Sequence, residues 1–284
     1  MSTEPLKSSV PTEHIFLKDH LHLPDITYYA RKKNQYFYPD DPRLDGIHIH
    51  DDYEIYIHIK GDSSFLVDNK VYPLHRGDVI LTKPGDVHVF IVNSTGDTEH
   101  ICLWLAPTCG SRLLSFAHRQ GAVPHLTFDK DTAEMLLSLL LGICDKQDTC
   151  DELGKISAIL QIATILEKRA LANPTGPQLL PDDVQQIIDY IDSEFRHIES
   201  VKSIAKRFNI STSTLNRRFR QFIRLAPSEL LKAKRLSYAK KLLDDGATVT
   251  ESCMRAGFSD CSYFISVFKK KFGQTPLQYK QKLR

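Results

Sequence analysis

Gly257-Phe258-Ser259-Asp260-Cys261-Ser262-Tyr263-Phe264 runs on through Phe268-Lys269-Lys270-Lys271-Phe272-Gly273 to Pro276. Gly257 is a stop signal for one short helix. Asp260 is a cap for the next, because its carboxylate accepts from the free amides of a first turn. Phe264, Phe268 and Phe272 recur every four residues, so one face of that helix is apolar. Ser262, Ile265, Ser266 and Lys269 fall on another face.

The same plan occurs earlier, from Val201 to Phe222. Ser211 aligns with Asp260 as a cap, and Leu215 and Phe219 align with Phe264 and Phe268. Ser213, Asn216, Arg217 and Arg220 align with Ser262, Ile265, Ser266 and Lys269. The turns carry Asn209 and Gly257, the residue types that best tolerate a left-handed backbone. Ala205 and Cys253 are small where the two helices of each unit approach. A short helix, a tight turn and an amphipathic helix ending in cations is the plan of a helix-turn-helix, whose second helix lies in the DNA major groove. One such hairpin is commonplace; an internal repeat of it argues against chance.

On these residues the stretch from about Asp182 to Arg284 resembles the paired helix-turn-helix domain of the AraC/XylS transcription regulators. The most specific part is Gly257-Phe258-Ser259-Asp260, Tyr263-Phe264, Phe268-Lys269, Phe272-Gly273, Pro276 and Tyr279.

At 284 residues the chain is long enough for two domains, and 42% hydrophobic with 25% charged residues is a soluble globular composition. The net charge of +2 hides an asymmetry. From Asp182 onward there are 20 Lys and Arg against 11 Asp and Glu; before it there are 17 against 24. A polyanion partner is therefore expected for the C-terminal part only. The six cysteines form no CxxC pair and read as reduced thiols of a cytoplasmic protein. The polar N-terminus, interrupted by Pro5 and Pro11, is no signal peptide, and no apolar run has the length of a membrane span.

Residues 1–25 read as a flexible arm, and the resemblance implies that such an arm folds over an effector pocket. Tyr28, Tyr29, Tyr36, Phe37 and Tyr38 follow as an aromatic segment, expected to pack on a sheet or line a pocket. From Gly46 to about Ala106 the period becomes two. Glu54-Ile55-Tyr56-Ile57-His58-Ile59-Lys60 alternates cleanly, and turn signals recur at Gly61-Asp62, Asp68-Asn69, Gly77-Asp78 and Pro84-Gly85-Asp86. Short strands so punctuated predict a small β-barrel or jelly roll, within residues 26–125.

This region holds His48-Ile49-His50, then Glu54, and later Pro84-Gly85-Asp86-Val87-His88. It resembles the two cupin motifs of a jelly-roll barrel. In metal-binding cupins the matching side chains are ligands, which implies His48, His50, Glu54 and His88 here. Three imidazoles and a carboxylate suit a divalent transition metal. His48 and His50 are two apart on a strand and face one side; Glu54, Tyr56 and His58 do so on the next. The motifs depart from the family pattern at Pro42, where Gly is expected, at Lys83, where Pro is expected, and at Asn93, which comes one residue late. Three outcomes stay open: a metal centre, a pocket for a small polar effector formed by His48, His50, Glu54, Tyr56, His58 and His88, or hydrogen bonding inside the barrel.

Residues 126–172 return to helical period. Asp131 to Asp145 and Glu152 to Ala172 are each strongly apolar, and the resemblance implies that they form a homodimer interface; the alternative is packing on their own barrel. Pro174 and Pro177 make 173–181 a stiff linker. Within 182–284, Asp182 to Phe195 is the first helix, and a long helix from Pro227 to Gly246 joins the repeats. A rigid connection of that kind sets the two recognition helices to major-groove segments about 10 bp apart.

Ser213, Asn216 and Arg217 lie where a recognition helix reaches base edges; Arg217 suits guanine and Asn216 adenine. Arg218 and Arg220 are placed for phosphates. In the second unit Cys261, Ser262, Ile265 and Ser266 face the bases but offer no long donor, and Lys269, Lys270 and Lys271 supply phosphate contacts. The first repeat is expected to carry most of the base specificity. The fold expected is α+β in two domains: an N-terminal jelly-roll (cupin) barrel with helices and a C-terminal all-α pair of helix-turn-helix units. The function expected is a dimeric regulator of promoter DNA. It is no enzyme, and it answers a small polar effector, a sugar among the candidates; activation, through RNA polymerase, is implied by resemblance. The rivals are a metal-dependent cupin enzyme or metal sensor fused to a DNA-binding domain, and a constitutive DNA binder whose barrel only dimerises.

Overall fold

The computed structural model describes residues 26–37, 46–144, 152–172 and 180–282. The expected arm, and 173–179 of the expected linker, lie outside the described residues. Among the described residues nine strands come first: β1 (Tyr28–Phe37), β2 (Ile47–His48), β3 (Tyr53–Lys60), β4 (Ser63–Val67), β5 (Lys70–Leu74), β6 (Val79–Thr82), β7 (His88–Val92), β8 (Gly96–Leu105) and β9 (His125–Leu126). They form two antiparallel sheets, ordered β1-β8-β3-β6-β9 and β2-β7-β4-β5. Asp68 and Asn69 both take positive φ and make the tight β4–β5 hairpin, as their sequence predicts.

The strand β1 begins ahead of the stretch whose period announces strands. It pairs along its whole length with β8, from Tyr28 opposite Leu105 to Phe37 opposite Gly96. Its run Arg31-Lys32-Lys33-Asn34-Gln35 is polar on both faces, so no hydrophobic alternation marks it.

Alternation on β3 divides the core. Ile55 and Ile57 point outward with Val79, Leu81, Ile101 and Leu103, and are covered by helices α1 (Pro107–Leu113), α2 (Lys130–Cys144) and α3 (Glu152–Ala172). Tyr56 points between the sheets with Phe65, Tyr72 and Cys102. The apolar faces of α2 and α3, including Leu136, Leu140, Ile159, Ile162 and Leu166, are buried against this barrel.

The C-terminal part is α4 (Asp182–Glu194), α5 (Val201–Arg207), α6 (Thr212–Ile223), α7 (Pro227–Asp244), α8 (Val249–Arg255), α9 (Cys261–Phe272) and α10 (Pro276–Lys282). Pro227 occupies the first turn of α7, where its missing N–H costs nothing. Leu215, Phe219, Phe264 and Phe268 are fully buried around α7. This core is continuous with the outer face of the smaller sheet, through Ile49, Leu66, Val71, Val87, Val89 and Ile91. The two domains are thus docked, and the contact is apolar at its centre.

Candidate DNA interface and effector pocket

Each recognition helix begins on the cap its sequence supplies. Ser211 Oγ accepts from the Thr214 amide at 3.0 Å, and Asp260 Oδ1 accepts from Ser262 and Tyr263 at 2.7 and 3.2 Å. Asn209 and Gly257 both hold positive φ in the turns, at 52° and 86°. Ala205 and Cys253 are buried where helix meets helix.

Along α6, Ser213, Arg217 and Arg220 are exposed, and Asn216 is half-buried with its Nδ2 donating to the Thr212 carbonyl at 2.9 Å. Along α9, Ser262, Ile265, Ser266, Lys269 and Lys270 are exposed, whereas Cys261 is half-buried against the core. Two of the expected phosphate contacts have partners inside the chain. Arg218 pairs with Asp183 of α4, and Lys271 donates to the Ile47 carbonyl of the barrel.

The barrel encloses a cavity of about 290 Å³ between its sheets. From the expected set, His48, Glu54, Tyr56 and His88 line it. His50 stands behind Glu54, with Nε2 3.0 Å from Glu54 Oε2 and Nδ1 2.9 Å from the Asp52 carbonyl. Both partners are acceptors, so the ring satisfies them only as the doubly protonated imidazolium. Burial alone would pull His50 down, but the hydrogen bond and charge of Glu54 outweigh it and raise its pKa. Burial pushes Glu54 up in turn; the two imidazoles more than reverse this and hold it well below the carboxylate range.

His88 uses Nδ1 to donate to the Asp86 carbonyl at 3.0 Å, which turns Nε2 toward Glu54. That atom is 3.2 Å from Glu54 Oε2 but is not aligned for a hydrogen bond. The ligating atoms of His50, Glu54 and His88 lie within 4.8 Å of one another. His48 is outside that group of three; its ring centroid is 5.5 Å from that of His88.

His58, expected in the pocket, is turned away from it. Its Nε2 donates to the Gly61 carbonyl at 2.9 Å and its Nδ1 accepts from Tyr56 Oη at 3.1 Å. The period-two pattern brings it inside the barrel, but the hairpin after β3 claims the ring.

The sequence reading missed the rest of the lining. From β1 come Arg31, Lys33 and Gln35; from β7 and β4, Phe90 and Phe65; from β8, His100, Cys102 and Trp104. The register explains it: Arg31 lies opposite Cys102 and Lys33 opposite His100, so alternate residues of both strands face one side. His100 is buried with Nδ1 unpartnered. Burial first, and the Lys33 cation second, push its pKa down to about 3, so the ring is neutral.

A paired helix-turn-helix whose recognition faces are exposed, docked on a jelly-roll barrel with a polar cavity, is the architecture of a ligand-responsive DNA-binding protein. Family comparison agrees with that. Residues 204–282 match the model of a helix-turn-helix domain, and residues 35–167 match that of the AraC-like ligand binding domain. The chain is 26% identical over 247 residues to the HTH-type transcriptional activator RhaS of Escherichia fergusonii, which covers 82% of this chain and 87% of the relative. The protein of that name from Salmonella schwarzengrund is 24% identical over 248 residues, with the same coverage. ToxT from Vibrio cholerae O395 aligns over 91% of this chain and 98% of its own at 15% identity. Its TM-score is 0.36. The chain belongs to the AraC family of transcription regulators, and its matched relatives are regulators and not enzymes. No helix among the described residues is long and apolar enough to cross a membrane.

Proposed function

We propose that this chain is a cytoplasmic transcription activator that binds promoter DNA as a homodimer and is controlled by a small polar effector held in the barrel. The observation that carries it is the continuity between pocket and DNA-binding helices. Residues 46–54 line the cavity through His48 and Glu54. The same residues meet the helical domain: Ile47 accepts from Lys271 of the second recognition helix, and Asp51 pairs with Lys240 of α7 at 2.6 Å. An effector that favours one arrangement of this loop then biases the recognition helices by population shift. A sugar would engage Glu54, His48 and His88 through its hydroxyls. Activation implies a contact with RNA polymerase, and the proposed dimer face is the side of α2 and α3 turned away from the barrel, where Met135, Leu141 and Leu153 are exposed.

The test is operator selection from random duplexes by the full chain, followed by titration of the selected site with and without cell extract depleted of macromolecules. A bipartite site with elements about 10 bp apart, and a change in its affinity with extract, are expected. An affinity indifferent to extract and to substitution of Tyr56 would leave a constitutive DNA binder.

The converging atoms of His50, Glu54 and His88 favour a second reading of the pocket, a divalent transition metal held there, with the His88 ring oriented by its Nδ1 bond to the Asp86 carbonyl. Metal analysis of the full chain beside His88→Ala decides it. Stoichiometric metal lost in the variant supports the reading; metal-free protein in both removes it.

A further inference from the structure

The lining of the cavity is unbalanced in charge. Arg31 and Lys33 project from β1 into it, and among the described residues neither makes a hydrogen bond or an ion pair. The intervening Lys32, on the opposite face, is paired with Glu99 at 2.6 Å. Among the described residues Glu54 is the one acid of the lining, and it is already hydrogen-bonded by His50. Two like charges two residues apart on one strand face repel each other, and no carboxylate among the described residues pairs with either.

Beside them stand two buried imidazoles, each with a ring nitrogen lacking a hydrogen-bond partner: His100 Nδ1 and His88 Nε2. Aromatic rings fill the rest: Tyr56 and Trp104 in the same sheet as the cations, Phe65 and Phe90 in the facing sheet. Two cations with aromatic surface beside and across from them define the complementary ligand, an anionic group on a flat apolar body. The volume of about 290 Å³ is at the small end of ligand sites.

We infer that the barrel takes a small organic monocarboxylate, its carboxylate held between Arg31 and Lys33 and its apolar body against Trp104 and Phe90. This rests on the effector reading above and narrows it. A neutral sugar leaves both cations unpaired and, among the described residues, finds the one lining carboxylate already bonded to His50. An anion neutralises the cations through charge-assisted hydrogen bonds, the strongest polar contacts available there.

The test is calorimetric titration of the full chain with benzoate and hexanoate, each beside its primary amide, and with glucose and ribose. Amides keep the shape and remove the charge. An acid is expected to bind at least about tenfold more tightly than its amide and than either sugar. Arg31→Met with Lys33→Met should abolish that preference, while Lys33→Arg retains it. Both residues are solvent-accessible, so unchanged thermal melting separates lost binding from lost folding. An amide that binds as well as its acid, a sugar that binds more tightly, an acid indifferent to the double substitution, or no acid binding at millimolar concentration overturns the inference. Operator affinity measured alongside keeps the two readings apart. A bound acid that leaves operator affinity unmoved supports the ligand class and sinks the effector role; a sugar that shifts operator affinity does the reverse.

Discussion

Gly257 answers to two constraints at once. Its φ is +86°, and a Cβ built there would lie 2.4 Å from the carbonyl oxygen of Arg196. Gly257→Ala therefore combines a left-handed penalty with a backbone collision. We expect a loss of about 2–4 kcal/mol, read from urea unfolding of the full chain. At Asn209, whose φ is also positive, no glycine is present to begin with, and Asn209→Ala should cost no more than about 1–2 kcal/mol. His100 supplies a pH dependence. Its neutral ring is buried beside Tyr56 and Phe90, with the cations of Lys33 and Arg31 nearby. Because its pKa drops from 6.5 to about 3 on folding, the unfolded chain alone binds the proton between those values. Stability is complete above 6.5 and falls as the pH falls, by at most about 1.4 kcal/mol per unit from this residue. His100→Phe should lose less melting temperature than the parent between about pH 7 and about pH 5; an equal loss would place the titration elsewhere. His58, also lowered by burial, adds to the effect in both proteins. Caps, turns and small residues at helix contacts were legible because each follows from one residue's own chemistry. Arg31, Lys33 and His100 were not, because what makes them a site is the pairing of β1 with β8, nearly 70 residues away in sequence.

The recognition helices are the elements where sequence and structure agree most closely, since a buried Leu215–Phe219 or Phe264–Phe268 pair leaves its helix only one face to expose. The exposed face of α6 carries Ser213, Arg217 and Arg220, and that of α9 carries Ser262, Ile265 and Ser266. Arg217→Ala and Asn216→Ala are expected to cost about 1–3 kcal/mol each at the preferred operator and to relax the base preference there. Asn216 must first release the Thr212 carbonyl, so its loss should fall at the lower end. Lys269→Ala and Lys270→Ala should instead weaken all duplexes alike and each lower the salt slope by about one. If Ser262 and Ser266 substitutions change the preferred bases more than those in α6, this division of labour is wrong. Arg218 and Lys271 are a different case. Periodicity places them on the basic face, but Asp183 and Ile47 take them, and both partners lie on other elements.

At the scale of the molecule the decisive contact is the one between domains. Composition and the proline-bearing 173–181 indicated two domains and a tether; they held no sign that the outer face of β4 and β7 would be covered by the helical domain. An outward-facing Leu66 or Val89 reads in sequence as half of an ordinary two-sided strand. The polar rim of this contact is led by Lys240. It is buried to 7% exposure, lies 2.6 Å from Asp51 and 3.1 Å from Asp244, and sits 4.8 Å over the ring of Tyr279. Burial would lower its pKa, but Asp51, Tyr279 and Asp244 raise it, so the cation persists at every physiological pH. Ser237 adds a bond to the Gly85 carbonyl at 2.6 Å, and Lys234 one to Asn69 at 2.7 Å. Asp51 is half-exposed and one residue from His50, so it can be altered without opening either core. Asp51→Asn should loosen the grip of the helical domain on the pocket loop while leaving the cavity lined as before. Linkage then makes a specific demand: if this loop transmits the effector's preference, the ratio of operator affinities with and without effector must move toward one. Effector affinity for the free protein should meanwhile shift by less than about threefold. Measuring both by fluorescence anisotropy and calorimetry on the same preparation separates the cases. A parallel collapse of effector affinity would make Asp51 part of the pocket, and an unchanged ratio would mean that the signal crosses through the apolar contact of Ile49, Val87 and Val89 instead.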